Sequence, residues 1–477
     1  MFLLVLCLVT TGCVEIVSGN ATGRVSYADV VPGMPAAQGP TGLRPNVPQA
    51  KRDIQGTDGG ETDKLAMDAL SDIELFWKDR IPKFFGQRFT PVSVVNSYDS
   101  TEPSDRVICR SPTEGNENAF YCILDDSISW DRSFVEALDK MFPPMVIVMI
   151  LAHEYGHRVQ HITNLIPDFR NAPTIVKEQQ ADCFAGYFLR WAAEGHAPHF
   201  ALNTTNGLNT LLAGMLFIRD PTMTATDDNE DEHGSGFDRV SAFEMGFAQG
   251  AEQCKKIDKH EIDERRKGLP VVLDDDSGNN GNVPIDQKNI GYVVATLTDF
   301  FKMLDPQVPT ANLQGGVDPN CAGQPRDPKD KVPVFYCGST NTITMDIPAL
   351  AEIGKAVPDS HGRPYSFTGD VSAFSIIASR YALAYLKHKG RPTTGYGSAL
   401  TAVCLVGAFI TSTASNNAAN EIRFTAGDLD KATAELVFEG YAASDSKGLI
   451  VPSAFTRINA LRIGALQHQD KCVQQYR

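Results

Sequence analysis

Two histidines and a glutamate stand at a spacing that suits metal chemistry in the segment His153-Glu154-Tyr155-Gly156-His157. Residues i and i+4 share one face of an α-helix, so both imidazoles can reach a single metal ion. Glu154 lies beside them and can accept a proton from a water molecule on that ion. The apolar run 145–151 before the motif predicts that this helix is buried. The pattern therefore predicts a hydrolytic zinc site with Glu154 as the general base.

A zinc site of this kind needs a third protein ligand and an open position for water. The segment Lys177–Gly186 offers Glu178, which lies 21 positions after His157. Asp182 follows one turn later on the same helix face, where it can accept a hydrogen bond from a zinc-bound imidazole. The alternative is that both acids lie on a solvated helix face. We predict one zinc ion per chain on His153, His157 and Glu178, with Asp182 supporting a ligand.

Three other histidines are expected to lie outside the ligand set. His161 continues the i+4 series, but we expect a satisfied polar residue at the end of the helix. His196 and His199 lie in a short Gly- and Pro-containing turn, where we expect surface residues.

The chain resembles the neutral zinc metallopeptidase family in three segments: AHEYGHRVQH, EQQADCFAGYF and HGSGFDRVSAFEMGFAQGAEQC. Within that family it is most similar in appearance to the secreted or lipoprotein peptidases of actinobacteria. The resemblance covers roughly residues 65–256 and includes Ala119–Cys122. It implies a gluzincin-like site with zinc on His153, His157 and Glu178. It indicates the chemistry more closely than the substrate.

The same resemblance includes His233-Gly234-Ser235-Gly236, a motif that precedes a helix. A histidine downstream of the zinc ligands can donate a hydrogen bond to the oxyanion that forms during peptide hydrolysis. His233 is therefore a candidate catalytic residue. The alternative is a loop histidine that caps the helix after it.

The N-terminal residues 1–19 have the pattern of an export signal. An apolar run from Phe2 to Val9 is too short to span a bilayer and ends in small residues before Cys13, as in a bacterial lipobox. No Lys or Arg precedes the run, so a plain cleavable signal is the alternative to a lipid anchor on Cys13. Residues 20–62 are rich in Gly, Pro and Ala and are expected to form a flexible tether. These features predict an extracytoplasmic protein, membrane-anchored or secreted.

The second half of the chain echoes the first. Six landmarks recur in order at shifts of 215 to 227 positions: Leu70-Ser71-Asp72 and Leu297-Thr298-Asp299, Phe120-Tyr121-Cys122 and Phe335-Tyr336-Cys337, SISWD and TITMD, Ala152–His157 and Ala378–Leu383, Ala181–Gly186 and Ala402–Gly407, and Cys254 and Cys472. The pattern predicts that residues 289–477 form a second, homologous copy. The alternative is an unrelated domain with chance echoes.

The metal motif is absent from this second copy. Ser379, Arg380 and Leu383 stand where the first copy has its two histidines and its glutamate, and Val403 stands at the position of Asp182. We therefore expect a degenerate domain that does not bind metal and that packs against the active half or shapes access to it.

The repeat also predicts how the cysteines pair in disulfides. Cys7 lies in the signal and Cys13 is the lipid candidate, which leaves eight. If the halves are copies, pairs should map onto pairs, which predicts the disulfides Cys109–Cys122, Cys183–Cys254, Cys321–Cys337 and Cys404–Cys472. Four disulfides fit an oxidising compartment.

The sequence predicts a helix-rich α+β fold. Helical patterns in the first half cover Asp63–Asp79, Phe134–Asn164, Val176–Glu194, Leu208–Phe217 and Arg239–Arg266, and short strands are expected at Val92–Tyr98 and Ile128–Trp130. We expect a zincin-like metallopeptidase domain at 63–268 and an acidic Gly- and Asn-rich linker at 269–288, followed by the degenerate domain. No stretch after the signal is expected to span a membrane.

Composition narrows the function. The 477 residues carry 43 Lys and Arg against 58 Asp and Glu, a formal charge of −15, which argues against a nucleic-acid-binding surface. We predict a zinc metallopeptidase that acts on a peptide or protein substrate, with membrane contact through the N-terminal anchor. The alternatives are a zinc-stabilised peptide-binding scaffold and a hydrolase of a non-peptide amide. The oligomeric state does not follow from the sequence.

Overall fold

The computed structural model describes residues 30–218, 234–269, 282–316, 320–321, 332–355, 368–415, 422, 424, 427–467 and 469–476. The predicted signal with Cys13, the candidate His233 and most of the predicted linker lie outside these residues. The helices are α1 Glu61–Phe85, α2 Arg132–Met141, α3 Met145–Ile162, α4 Thr174–Ala193, α5 Asn206–Phe217, α6 Gly236–Gln249, α7 Ala251–Cys254, α8 Lys259–Arg266, α9 Gln287–Leu304, α10 Ile347–Ile353, α11 Asp370–His388, α12 Tyr396–Ser415, α13 Asp428–Phe438, α14 Ala454–Gln467 and α15 Gln469–Gln475.

The strands are short and most of the regular structure is helical, so the fold is the helix-rich α+β fold that the sequence predicts. They are β1 Val30–Val31, β2 Met34–Pro35, β3 Gly42–Leu43, β4 Val94–Tyr98, β5 Val107–Ile108, β6 Ser111–Pro112, β7 Ala119–Cys122, β8 Ser127–Asp131, β9 Phe200–Ala201, β10 Asn312–Gly315, β11 Val334–Cys337 and β12 Thr342–Met345.

Two predicted long helices are interrupted. The pattern over 134–164 divides into α2 and α3 at Pro143-Pro144, because proline has no amide hydrogen to continue a helix and restricts the residue before it. The pattern over 239–266 divides into three helices. The first break is at Gly250, which has a φ of 75°, and α8 starts anew at Asp258, whose side chain accepts a hydrogen bond from the Glu261 amide.

The prediction of a flexible tether is wrong for residues 30–62. Val31 is fully buried, β3 pairs with β9, and Arg44 Nε donates to the carbonyls of Ala197 and Phe200, both at 3.0 Å. Helix α1 begins at Glu61, within the predicted tether. The segment is rich in Gly and Pro, but its few apolar residues and backbone groups have partners on the first half, which composition cannot reveal.

The arrangement of elements in the first half recurs in the second. The sheet β4-β8-β7 has a parallel and an antiparallel pair, and the sheet β10-β12-β11 has the same order and directions. Phe120 pairs with Ser129, and Phe335 pairs with Thr344, so the register is the same at a shift of 215 positions. The four disulfides have the predicted pairing. Common descent of the two halves stays a prediction.

In the described part of the chain, one helix has the length and the apolar composition needed to cross a membrane, and it lies within α12. No such segment was expected from the sequence. The apolar window is 83% buried inside the structure, as in the core helix of a soluble fold. Its neighbours α11 and α14 pack against it, so the apolar composition is explained by the core of the second half.

Candidate metal centre

The metal motif lies on α3, and the predicted third ligand lies on the neighbouring helix α4. The two helices approach closely at Gly156, where an added Cβ would lie 2.9 Å from Cα of Ala181. Only glycine leaves room for this approach. Glu178 lies one turn before Ala181 on α4, so the approach brings its carboxylate to the two histidines of α3.

His153, His157 and Glu178 converge as the sequence predicts. One ligand atom from each lies within 4.8 Å of the others, and this is the one such cluster found within the described ranges. Glu178 Oε2 lies 3.0 Å from His153 Nε2, and Glu178 Oε1 lies 3.4 Å from His157 Nε2. Two imidazole nitrogens and a carboxylate oxygen are a donor set that suits zinc.

The other nitrogen of each imidazole is held by an acceptor. His153 Nδ1 donates to Asp182 Oδ1 at 2.8 Å, and His157 Nδ1 donates to Gln160 Oε1 at 3.1 Å. Gln160 is fixed in turn, since its Nε2 donates to the carbonyl of Lys177 at 2.6 Å. Such contacts set the tautomer and orientation of metal-binding histidines. Asp182 lies where the sequence predicts it, whereas the role of Gln160 was not anticipated.

Arg239, on α6, is a member of the site that the sequence reasoning missed. Its Nε and Nη2 donate to the two carboxylate oxygens of Asp182 at 2.9 and 2.8 Å. Burial opposes a charge on Asp182, but the adjacent Arg239 and His153 outweigh it and lower its pKa to about 2. Asp182 is therefore an anion held between two cationic or hydrogen-bonding partners, and it orients His153.

Charges within the site also shift the pKa values of the metal-binding side chains. Burial disfavours the charged forms of Glu178 and His153. The nearby histidines nevertheless lower the pKa of Glu178 well below its usual value, and the two acids raise the pKa of His153 to about 10. The negative charge on Glu178 and the hydrogen bonds to both imidazoles thus favour the contact in which the three ligands meet.

Glu154 lies beside the ligands, and its carboxylate Oε2 accepts a hydrogen bond from the amide of Tyr121 on β7 at 2.9 Å. Burial raises the pKa of Glu154, and the neighbouring His153 and His157 partly offset this effect. A carboxylate with a raised pKa is better suited than an ordinary one to take up and hold a proton.

The cluster lines a cavity of about 460 Å³. Apolar side chains contribute much of the lining away from the ligands, namely those of Phe120, Ile123, Met149, Ile150, Met215 and Ile218. The lining also includes Lys177 and Arg239. An apolar cavity with a few convergent polar groups is typical of a binding site for an organic substrate.

The remaining histidines have different outcomes. His161 is partly exposed near the end of α3, and its Nδ1 lies 2.7 Å from the Tyr121 hydroxyl, as expected for a satisfied polar residue. His196 is exposed as predicted. The prediction for His199 is wrong, because it is buried and its Nδ1 donates to Asp72 Oδ1 at 2.6 Å. A partner 127 positions away in the chain leaves no local signal.

The corresponding positions of the second half contain no metal-binding group. Ser379 donates to the carbonyl of Ile376 at 2.7 Å, and the buried Arg380 donates to the carbonyls of Ser444 and Asp445 at 3.0 and 3.1 Å. Leu383 and Val403 are fully buried. At these positions the side chains contact backbone oxygens or apolar neighbours instead of offering ligands to a metal.

Two relatives of known sequence, both uncharacterized proteins, are similar to part of the chain. Rv2575 of Mycobacterium tuberculosis is 24% identical over 159 residues, and YpfJ of Escherichia coli K12 is 28% identical over 161 residues. Each match covers 29% of this chain and 54% of the relative, so the chain spans about half the length of these curated relatives. No solved structure has a significant match to the chain. Residues 23–257, which include the whole site, match the model of the family described as "Putative neutral zinc metallopeptidase".

Proposed function

We propose that the protein is a zinc-dependent metallopeptidase that hydrolyses peptide bonds outside the cytoplasm. The observation that carries this proposal is the convergence of His153, His157 and Glu178 on the wall of a cavity that Glu154 also lines. The match of residues 23–257 to a family of putative zinc metallopeptidases supports both the metal and the class of reaction.

The residues of the site have separate roles in this proposal. A zinc ion held by the three ligands would supply a Lewis acid that lowers the pKa of a water molecule and polarises a peptide carbonyl. Glu154 accepts the proton of the attacking water and passes it to the leaving amine. The Tyr121 amide holds the Glu154 carboxylate in position, and Asp182 holds His153.

The proposed compartment rests on the disulfides and on the N-terminal sequence. Four disulfides are typical of secreted and periplasmic proteins and rare in a reducing cytoplasm. The apolar segment before Cys13 is consistent with export and with a lipid anchor at the membrane.

The test compares the wild type with Glu154→Gln, using zinc content and hydrolysis of a diverse peptide library as the two measurements. The substitution keeps the size of the side chain and removes its basicity. We expect about one zinc ion per chain in both proteins, and hydrolysis reduced by at least about a hundredfold in the variant. The control is Glu136→Gln, an equal change at an exposed position of α2.

Each outcome has a definite meaning. Equal turnover in the wild type and Glu154→Gln contradicts the role of Glu154. One zinc ion without hydrolysis of any peptide favours the scaffold or the hydrolase of a non-peptide amide. A wild type that binds no zinc contradicts the metal site itself.

A further inference from the structure

Helix α6, which carries Arg239, begins at a contact with the second half of the chain. Its first two amides, those of Gly236 and Phe237, donate to the two carboxylate oxygens of Asp430 at 2.9 and 2.7 Å. Asp430 lies on α13 and is 2% exposed, and Gly236 and Phe237 are buried as well. The contact therefore joins the two halves in a place where water does not replace a lost hydrogen bond.

The first amides of any helix have no acceptor within the helix. In α6 the Ser235 hydroxyl accepts from the Asp238 amide at 3.1 Å, and the Asp238 carboxylate accepts from the Ser235 amide in return. This capping box does not use the amides of Gly236 and Phe237, which lie between its two members. Asp430 supplies the acceptor for these two amides, and its negative charge also suits the positive end of the helix dipole.

A short series of contacts connects this cap to the metal ligands. Arg239 lies within one turn of Gly236, and its guanidinium donates hydrogen bonds to both carboxylate oxygens of Asp182. Asp182 in turn orients His153. We infer that Asp430 is a positioning residue for the metal centre, so that the second half holds α6 and Arg239 in the place that the ligands require.

A second contact fixes α6 from the same side. Glu244, five residues before the end of α6, accepts a hydrogen bond from Arg462 of α14 at 3.0 Å. Glu244 is 2% exposed and the side chain of Arg462 is 20% exposed, so this ion pair between the halves is only partly open to solvent. Together with Asp430, it ties α6 to the second half of the chain at two points, one on each side of Arg239.

The interface also contains a related cap, on a single amide, with the roles of the halves exchanged. Asn209 of α5 accepts a hydrogen bond from the amide of Ala454 at the start of α14 at 2.8 Å. Asn209 and Asp430 are 221 positions apart, close to the shift that relates the two halves. On α14, Arg457 stands 218 positions after Arg239, but Val403 occupies the position of Asp182. The Asn209 cap is therefore a matched contact without a metal site.

The inference rests on the proposed zinc site, and its test uses zinc binding by the full chain rather than activity. The zinc dissociation constant is measured by competition with a chromophoric chelator for the wild type, Asp430→Ala, Asp430→Asn and Asn209→Ala. We expect Asp430→Ala to raise the constant on the order of fivefold, less than the 10- to 100-fold typical of a residue that hydrogen-bonds a ligand directly. Asp430→Asn should give an intermediate loss of affinity, of about twofold, because its single amide oxygen can accept from only one of the two amides, as the oxygen of Asn209 does. Asn209→Ala should leave zinc affinity unchanged.

A spectroscopic measurement separates positioning from general loosening of the fold. Cobalt(II) in place of zinc gives visible absorption bands that depend on ligand geometry, and we expect these bands to change in Asp430→Ala and not in Asn209→Ala. If Asp430→Ala does not fold, Asp430→Ser replaces it, with an intermediate loss of affinity expected.

Equal effects of the Asp430 and Asn209 substitutions on zinc affinity, or no effect of either, would overturn the inference. A wild type that binds zinc but hydrolyses no peptide contradicts the proposed peptidase and leaves the positioning role standing. A wild type that binds no zinc contradicts both the positioning role of Asp430 and the proposed peptidase.

Discussion

Arg239 and Asp182 form a two-point ion pair, with both carboxylate oxygens of Asp182 bound at 2.8 and 2.9 Å. One of these oxygens also accepts the hydrogen bond from His153 Nδ1. The pair is buried, so neither charge is stabilised by water if the other is removed. The orientation of a metal ligand therefore depends on a residue that lies 57 positions further along the chain.

Replacing Asp182 by Asn should weaken zinc binding by roughly 10- to 100-fold, because the amide is a poorer acceptor for His153 than the carboxylate. The same change leaves Arg239 buried without a counter-charge. It should lower the free energy of unfolding of the zinc-free protein by about 3 kcal/mol. Chelator competition measures the first effect, and urea denaturation measures the second.

Asp263→Asn is the control for this prediction, since Asp263 is an exposed acid on α8. It should change neither quantity beyond about 0.5 kcal/mol. Zinc affinity of Asp182→Asn within threefold of the wild type would show that His153 is oriented by other contacts.

The sequence predicts the ligands better than it predicts the residues that support them. His153, His157 and Glu178 follow from helical spacing and from the need for a third ligand. Arg239 does not follow, because its contact with Asp182 depends on how α6 packs against α4. Helices α4 and α6 approach each other closely at Gly186 and Gly246, and α6 also contacts the second half at Asp430 and Glu244. No local pattern encodes these contacts.

The same distinction applies to the fold. The shared triplets around Cys122 and Cys337 predict a recurring element, and the structure gives β7–β8 and β11–β12 the same register. Composition fails at residues 30–62, where Gly and Pro suggest a free tether. The backbone of that segment finds partners on distant residues, such as the His199 carbonyl, which accepts from the Arg44 amide at 2.7 Å.

The disulfide Cys183–Cys254 joins α4 to α7 and is predicted to support the metal site. Cys183 follows Asp182 directly, and the bond closes a separation of 71 residues. Replacing both cysteines by Ala should cost about 4 kcal/mol of stability by the chain-entropy estimate for a loop of this size. It should also weaken zinc binding, because α4 carries Glu178 and Asp182. Thermal unfolding and chelator competition measure the two effects.

The bond Cys404–Cys472 provides the matched comparison, with a separation of 68 residues in the second half. Its removal should cost nearly the same stability and leave zinc affinity unchanged while the protein remains folded. A similar loss of zinc affinity in both double variants would mean that the metal site responds to global stability rather than to the position of α4.

Glu435, on α13 of the second half, should make the protein less stable as the pH rises. Burial raises the pKa of Glu435 to about 7, and the Ala442 amide and the charge of Arg457 only partly offset this effect. Because the pKa is higher in the folded chain than the ordinary value of 4.5, the folded state is favoured fully below pH 4.5. That stabilisation is lost as the pH rises through 7. The loss amounts to roughly 3 kcal/mol at pH 8.

Glu435→Gln removes this titration and keeps an oxygen that can accept from the Ala442 amide. The variant should match the wild type near pH 4.5 and exceed its free energy of unfolding by up to about 3 kcal/mol at pH 8, as measured by urea denaturation across this range. Glu352→Gln, at an exposed position of α10, should follow the wild type at every pH. If the Glu435→Gln and wild-type curves run parallel from pH 4.5 to 8, Glu435 is ionised in the folded protein throughout. Its charge must then be stabilised by the buried arginines of the second half.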